Sequence, residues 1–257
     1  MVDAASGEVL HERHPGRLLP TASIGKVLLL QHVAALIADG SADPQELLAR
    51  TDGDRVADSG IWQYLAAEQL TVLDLCVLVG TASDNLATNV LLRRFGLAEV
   101  AATAARLGLR RTALQDRVRD VRTDADPPTL STGTSGELTA LLVGLHRQRA
   151  AGEPVATQVL DWLATGLDLS LVAAGWGLDP LAHSGSDRGL TVWNKTGTDV
   201  GVRAETGLLT GPVRTIAYTV IANWVDTDRA DRRVEVLRRM RRLGQRIEDA
   251  ARGGTGW

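Results

Sequence analysis

Apolar positions gather into long helical stretches through the middle of this chain and into short alternating runs near its C-terminus. From Val27 to Ala38 the sequence is apolar almost all round, as in a helix buried on every side, and Gly40 supplies its stop. Thr71 opens a second helix, apolar from Val72 to Val79, and Ser83-Asp84-Asn85 interrupts that pattern. Leu86 to Phe95 resumes as helix and stops at Gly96, and Ala98 to Leu107 forms another, stopped by Gly108. Further helices are predicted over Ser135–Arg149 and Pro154–Thr165. Leu190–Asn194, Ala204–Thr210 and Val213–Trp224 then alternate as antiparallel strands do, with Gly211-Pro212 at one turn. Asp231–Arg252 is a last helix with an apolar stripe at Val236, Met240, Leu243 and Ile247; its interleaved acids and arginines mark a solvated outer face. At the other end, Asp3–Gly7 reads as a turn and Glu8–His14 as a hairpin strand. Almost no residues remain for the strand before that turn, so either the start lies upstream or this edge strand is very short.

Composition narrows the classes. At 257 residues, with 44% apolar content, the chain can bury a proper core as one large domain or two intimately packed ones. A net charge of −3 gives no electrostatic case for nucleic acid or an anionic membrane. No apolar run approaches the ~20 residues of a membrane helix. Met1-Val2-Asp3-Ala4 lacks the basic start of a signal peptide, so a cytoplasmic product is expected from the sequence as written. The single cysteine, Cys76, lies in an apolar helical run and reads as a buried small hydrophobe. The histidines make no metal-binding spacing, and no metal or organic cofactor is expected.

Residues 110–134 read as a long irregular loop in which Asp116, Asp120, Asp124 and Asp126 alternate with arginines. Loops of this length inside compact domains are usually functional. Of 28 basic residues only Lys26 and Lys195 are lysines. Arginine cannot shed its proton in a protein, whereas a desolvated lysine can act as a base. Lys26 lies three residues after Ser23, on the same face at the start of the first long helix, where free N–H groups favour developing negative charge. A serine beside a lysine there is a workable nucleophile–base pair, although an N-cap beside a first-turn charge would look the same.

Three strings decide between those readings: Ser23-Ile-Gly-Lys26, Ser83-Asp-Asn85 and Lys195-Thr-Gly197. Each recurs by chance, but their order, spacing and context together do not, and both lysines fall within them. On these strings the chain resembles the class A β-lactamase-like serine hydrolases, the penicillin-recognising serine enzymes, along nearly its whole length. The resemblance implies an α+β fold, with a five-stranded antiparallel sheet flanked by helices and packed on an all-helical lobe. The sheet lobe would take residues 1–22 and 168–257, and the helical lobe residues 23–167.

By the same resemblance Ser23 would attack a carbonyl, Lys26 would take or relay its proton, and Ser83 would protonate the leaving nitrogen. Asn85 would bind the substrate amide and hold Lys26. Lys195, Thr196, Thr198 and Arg203 would bind a substrate carboxylate, and Gly197, without a Cβ, would let the strand edge approach the substrate. The N–H groups of Ser23 and Thr198 would form the oxyanion hole. The chain departs from the family where a loop glutamate normally activates the deacylating water. Here the nearest match is Arg117-Val-Arg-Asp-Val-Arg-Thr123, with Arg119 at the glutamate position; Asp120 stands one residue away, and the loop has no glutamate. Salt bridging of Arg117 to Asp124 or Asp126 is the expected structural role of most of these acids. Three functions follow: a hydrolase acylated at Ser23 by β-lactams or related amides and esters with impaired deacylation, an esterase, amidase or acyltransferase on another cytoplasmic metabolite, or a ligand-binding homologue without turnover. In each case the partner is a small molecule and the chain is expected to be a monomer.

Overall fold

The structure is a computed structural model that describes residues 1–225 and 230–254. After strands β1 (Val2–Asp3) and β2 (Leu19–Pro20), a single 3-10 turn, Ala22–Gly25, leads into α1 (Lys26–Ala38). Strands β3 (Leu47–Ala49) and β4 (Gln69–Thr71) form a small ribbon before α2 (Val72–Ala82), α3 (Asn85–Phe95) and α4 (Leu97–Arg106). Strands β5 (Ala113–Leu114) and β6 (Ser131–Gly133) bracket the long loop, and α5 (Ser135–Ala150) and α6 (Pro154–Leu163) follow. Strands β7 (Thr191–Asp199), β8 (Val202–Thr210) and β9 (Thr215–Asn223) and helix α7 (Ala230–Ala251) complete the chain. The arrangement is α+β, with helices and an antiparallel sheet.

Local chemistry accounts for most boundaries. Thr71 caps α2 by accepting the Asp74 N–H at 3.0 Å, and Asp84 caps α3 through Ala87 at 2.9 Å. Thr134 does the same for α5 through Glu137. Helix α1 is buried from Lys26 to Ala34, as its unbroken apolar run requires, and lies at the centre of a core shared by α2–α6.

The main sheet has the order β1-β9-β8-β7, and β7 is an edge. Alternation along its strands sends Leu208 and Ala217 into the helical core, and Leu209, Ile216 and Tyr218 into a second core under α7. Met240 and Ile247 of the expected stripe are buried in that second core, with Val236 packed at its margin. The solvated face holds where it is described, with Glu235 paired to Arg239 and Glu248 to Arg252; the side chain of Asp231 lies outside the described residues.

Three expectations need correction. Among the described residues the main sheet has four strands, not five, and Glu8–His14 is not a strand: Val9 alone makes a single bridge, to Val2. Asp3 Oδ1 accepts the N–H groups of Ala5 and Ser6, which tightens the turn onto a two-residue strand, and the chain then departs with His14 at φ 52°. Nor is the 110–134 loop wholly irregular. Its two ends pair with each other, and β6 also pairs with β2, in a separate three-stranded sheet.

Helix α7 reaches the sheet core by backbone contact. A Cβ on Gly244 would lie 2.0 Å from Val172 O, whereas one on Gly144, in α5, would meet nothing within 4 Å. Gly244→Ala should therefore lower unfolding stability by about 1–3 kcal/mol, the usual cost of overpacking. Gly144→Ala should raise it by up to about 1 kcal/mol through helix propensity. Urea midpoints at unchanged m-value measure both.

Candidate active site

The 3-10 turn that carries Ser23 is held from several sides. Ala22, just before the serine, has φ 49°, a left-handed conformation that a residue with a Cβ rarely adopts. Ser131 of β6 donates to Ala22 O and bonds the Thr21 hydroxyl at 2.7 Å, fixing the turn from below. From the side comes β7. A Cβ on Gly197 would lie only 2.2 Å from Thr21 O, so glycine is what lets the sheet edge close on the serine turn. The expectation at Gly197 concerned an approach to substrate; the approach seen here is to the backbone of Thr21.

Opposite the serine stands the α2–α3 junction. Ser83 ends α2 with φ 54°, and this left-handed residue turns its carbonyl and hydroxyl toward α1. Asp84 is buried; besides capping α3, it accepts the N–H groups of Ile61 (2.8 Å) and Trp62 (2.9 Å). A Cβ on Gly60 would lie 2.4 Å from Asp84, so the 58–62 loop wraps directly over this carboxylate. The middle letter of Ser-Asp-Asn thus builds the site without lining it, a role that the motif alone did not disclose.

Lys26 and Lys195 converge on Ser83. Lys26 Nζ, fully buried, donates to Ser83 O at 2.6 Å and Asn85 Oδ1 at 2.7 Å, with Ser83 Oγ at 3.3 Å. Lys195 Nζ donates to the same Oγ at 2.8 Å and to Thr196 O at 2.9 Å. Burial, and next the nearby Lys195 cation, hold the Lys26 amine well below the ordinary lysine range. Burial also lowers Lys195, to about 8, with Asp168 working in the opposite direction.

A cleft of about 370 Å³ opens between these walls. Ser23, Ser83, Lys195, Thr196 and Thr198 line it, and Lys26 and Asn85 stand behind it, bonded to each other. Sequence reasoning missed Ser59, Asn194 and the wall Gly166–Asp168, which also line it. Their signal is tertiary: Leu167 N–H reaches Thr81 O, and Ser59 O accepts the Asn85 N–H. Arg203 pairs directly with Thr198 across β7–β8, so the two share a face; its guanidinium bonds Asp199 O and Val202 O and lies over the Trp224 ring.

The loop acids are distributed differently from the expectation. Asp116 is the buried anchor, bonded to Arg119 at 2.7 Å and to Arg122, and Asp126 pairs with Arg119 at 3.1 Å, where Arg117 was expected to pair with Asp124 or Asp126. Arg117 donates instead to Gly53 O and, through its N–H, to Asp116. Asp120 is exposed, outside the residues that line the cleft, and accepts the Ala57 N–H at 2.8 Å. Ala57 O accepts in turn from Asn85 Nδ2, so a single residue, Ala57, links Asp120 to the site. Cys76 is buried as expected, and burial pushes its thiol up.

The fold is similar to that of known proteins along nearly the whole chain. A β-lactamase from Sphaerobacter thermophilus DSM 20745 superposes with a TM-score of 0.81 at 22% identity, over 98% of this chain and 89% of that one. The protein PBP-A gives 0.76 at 21% identity, over 97% and 88%. An ancestral class A β-lactamase gives 0.74 at 26% identity, over 94% and 90%. The family model for the β-lactamase enzyme family matches residues 1–250. The chain belongs to the β-lactamase enzyme family.

Proposed function

We propose that this protein is a serine acyl-transfer enzyme, acylated at Ser23 by β-lactams or related amides and esters, that releases its acyl group slowly. The observation that carries the reading is the Ser83 hydroxyl, set between two lysine amines on the wall opposite Ser23. A neutral Lys26 amine has two N–H bonds, enough for Ser83 O and Asn85 Oδ1, and keeps its lone pair for a proton. As Ser23 Oγ attacks the carbonyl carbon, its proton passes to Lys26. Ser83 then gives its proton to the leaving nitrogen and regains one from Lys26, so the amine ends neutral. The N–H groups of Ser23 and Thr198 stabilise the oxyanion, and Lys195, Thr196 and Arg203 receive the substrate carboxylate. One of the structural neighbours is an acyl-enzyme complex of a PBP-A variant with penicillin G, a precedent for this step on the same fold.

The first test is covalent. A fluorescent penicillin or a fluorophosphonate should label the protein, with Ser23→Ala unlabelled. Label surviving that substitution would remove Ser23 from the central role.

The lysines differ in what they need. Lys26 works by losing a proton, so Lys26→Arg should damage acylation nearly as much as Lys26→Ala. Lys195 works as a cation, so Lys195→Arg should keep much more activity than Lys195→Ala. With its folded pKa near 8, Lys195 is charged below that pH, and penicillin acylation should fall as pH rises through about 8. Lys26 has the opposite sign: its base form disappears as pH falls through its own lowered pKa, giving an acid limb. In Lys195→Arg the alkaline limb should vanish. An alkaline limb unchanged in that variant contradicts the assignment.

Deacylation is expected to be the slow half. Among the described residues lining the cleft, Asp168 is the one carboxylate, and it stands on the wall facing Lys195, not in the 110–134 loop. Losing a general base typically costs ~10²–10⁴ in the step it serves. Intact mass after incubation with penicillin should show an adduct on Ser23 lasting minutes or longer. Rapid penicillin consumption with no lasting adduct would refute this. Asp120→Asn then tests for a replacement base: a large loss of residual turnover assigns that role to Asp120, and no loss means that another group activates the water, Lys26 being the first candidate.

A further inference from the structure

Under the cleft, on the α7 side of the sheet, lies a carboxylate that the acylation chemistry does not use. Glu205 of β8 is fully buried. Its Oε1 accepts from the Tyr218 hydroxyl at 2.7 Å and Asn194 Nδ2 at 3.1 Å; its Oε2 accepts from the N–H groups of Val172 at 2.6 Å and Ala173 at 3.3 Å. All four partners are uncharged. A buried carboxylate without a cation is unfavourable unless fully hydrogen-bonded, and burial pushes this one up to about 7. A leucine in the same strand interior would avoid that penalty.

What the carboxylate holds is the wall of the cleft. The Asn194 Nδ2 that donates to Glu205 also donates to Asp168 O at 3.1 Å. Gly166 packs so closely on Asn194 that a Cβ there would lie 2.9 Å from Oδ1. Residues 166–168 face Lys195 across the cleft, tied at the other end by Leu167 N–H to Thr81 O at 2.9 Å. The Asp168 carboxylate acts directly on Lys195, favouring its charged form. From the far side the α7 backbone presses on Val172 and Gly175 through Gly244. The stem of the wall is therefore held between a helix and Glu205.

Resting on the acyl-transfer reading above, we propose that Glu205 is a positioning residue for anionic substrates: through Asn194 and the Val172–Ala173 turn it fixes the Gly166–Asp168 wall against Lys195, where a substrate carboxylate must seat. It touches no substrate. Its surroundings select a carboxylate in particular. Val172 and Ala173 offer only N–H groups, Asn194 presents its amide hydrogens, and only the Tyr218 hydroxyl can turn to accept. The α7 residues of the same cluster, Met240 and Ile247, are apolar. A glutamine in this place must aim its NH₂ at backbone donors or at the Asn194 amide.

Two probes that acylate the same serine separate positioning from general damage. Penicillin carries a carboxylate; an uncharged fluorophosphonate ester does not. In Glu205→Gln, penicillin acylation should fall at least tenfold in kcat/KM-equivalent terms, mainly through a higher half-saturating concentration. Fluorophosphonate labelling should stay within about twofold. Tyr218→Phe keeps the ring and removes one donor, so it should show the same selectivity at smaller size; it decides the matter if Glu205→Gln does not fold. Equal losses with both probes, or no loss with either, overturn the role of Glu205 and leave the Ser23 chemistry standing. A wild-type protein that reacts with neither probe fails the acyl-transfer reading itself.

Discussion

The constraint on which the site depends is a lysine amine buried without an ion pair among the described residues, the Asp84 carboxylate opposing burial only through space. Lys26 has no exposed surface, and its closest partners are a backbone carbonyl, an amide oxygen and a hydroxyl. Removing a full charge from water to such a place is far costlier than removing a neutral amine. The protein relieves that cost by favouring the neutral form, which is also the form that can accept a proton. Everything nearby serves to hold two acceptors still: Ser83 at the end of α2, Asn85 at the start of α3, and Asp84 between them gathering the 58–62 loop. A salt bridge to Lys26 would have stabilised it more simply and removed it as a base.

Holding those acceptors requires strained backbone. Among the described non-glycine residues with positive φ are Ala22, Asp58 and Ser83, each at or next to a cleft serine: Ser23, Ser59 and Ser83. Such residues cost of order 1–3 kcal/mol each and persist only where surrounding contacts over-determine them. Those contacts are on hand. Ser131 and Thr21 fix the first turn, Asp84 and Gln63 hold the 58–62 loop, and Lys26 itself fixes the third. Gly197 completes the enclosure, because only a residue without Cβ admits Thr21 O to the sheet edge.

How much of this was legible depended on whether the signal was local. The helices announced themselves through long apolar runs and through Thr71, Gly40 and Gly96. The site announced itself through three strings whose residues the fold does bring together. The failures are tertiary. Glu8–His14 has strand-like residues, but the two-residue β1 gives it no partner to pair along. Strands β5 and β6 are two and three residues long, below the reach of any periodicity. Asp116 is one of several similar acids in the loop, and nothing in the sequence marks it as the one that is buried. Glu205 could not be foreseen either: a glutamate in an alternating strand reads as solvent-facing, and only the packing of α7 and the 168–176 segment closes over it.

In the proposed acyl-transfer cycle the two halves would rest on differently built groups. Those assigned to acylation come from four separate elements; the two lysines are buried and multiply bonded, and the two serines are half-buried at the cleft. In the 110–134 loop, where the resemblance puts a deacylating base, three of the four acids are already committed: Asp116 to two arginines, Asp126 to Arg119 and Thr123, Asp120 to the Ala57 N–H. A carboxylate held low by arginines is a poor base, since the same charges that order the loop weaken its affinity for a proton; burial works the other way at Asp116, but hydrogen bonds from Arg119 and Arg122 leave it lowered on balance. By the resemblance Arg119 takes the place of the family's glutamate, and its guanidinium orders Asp116 and Asp126. On the proposed reading, the ion pairs that order the loop are also what would keep it from supplying a base for deacylation.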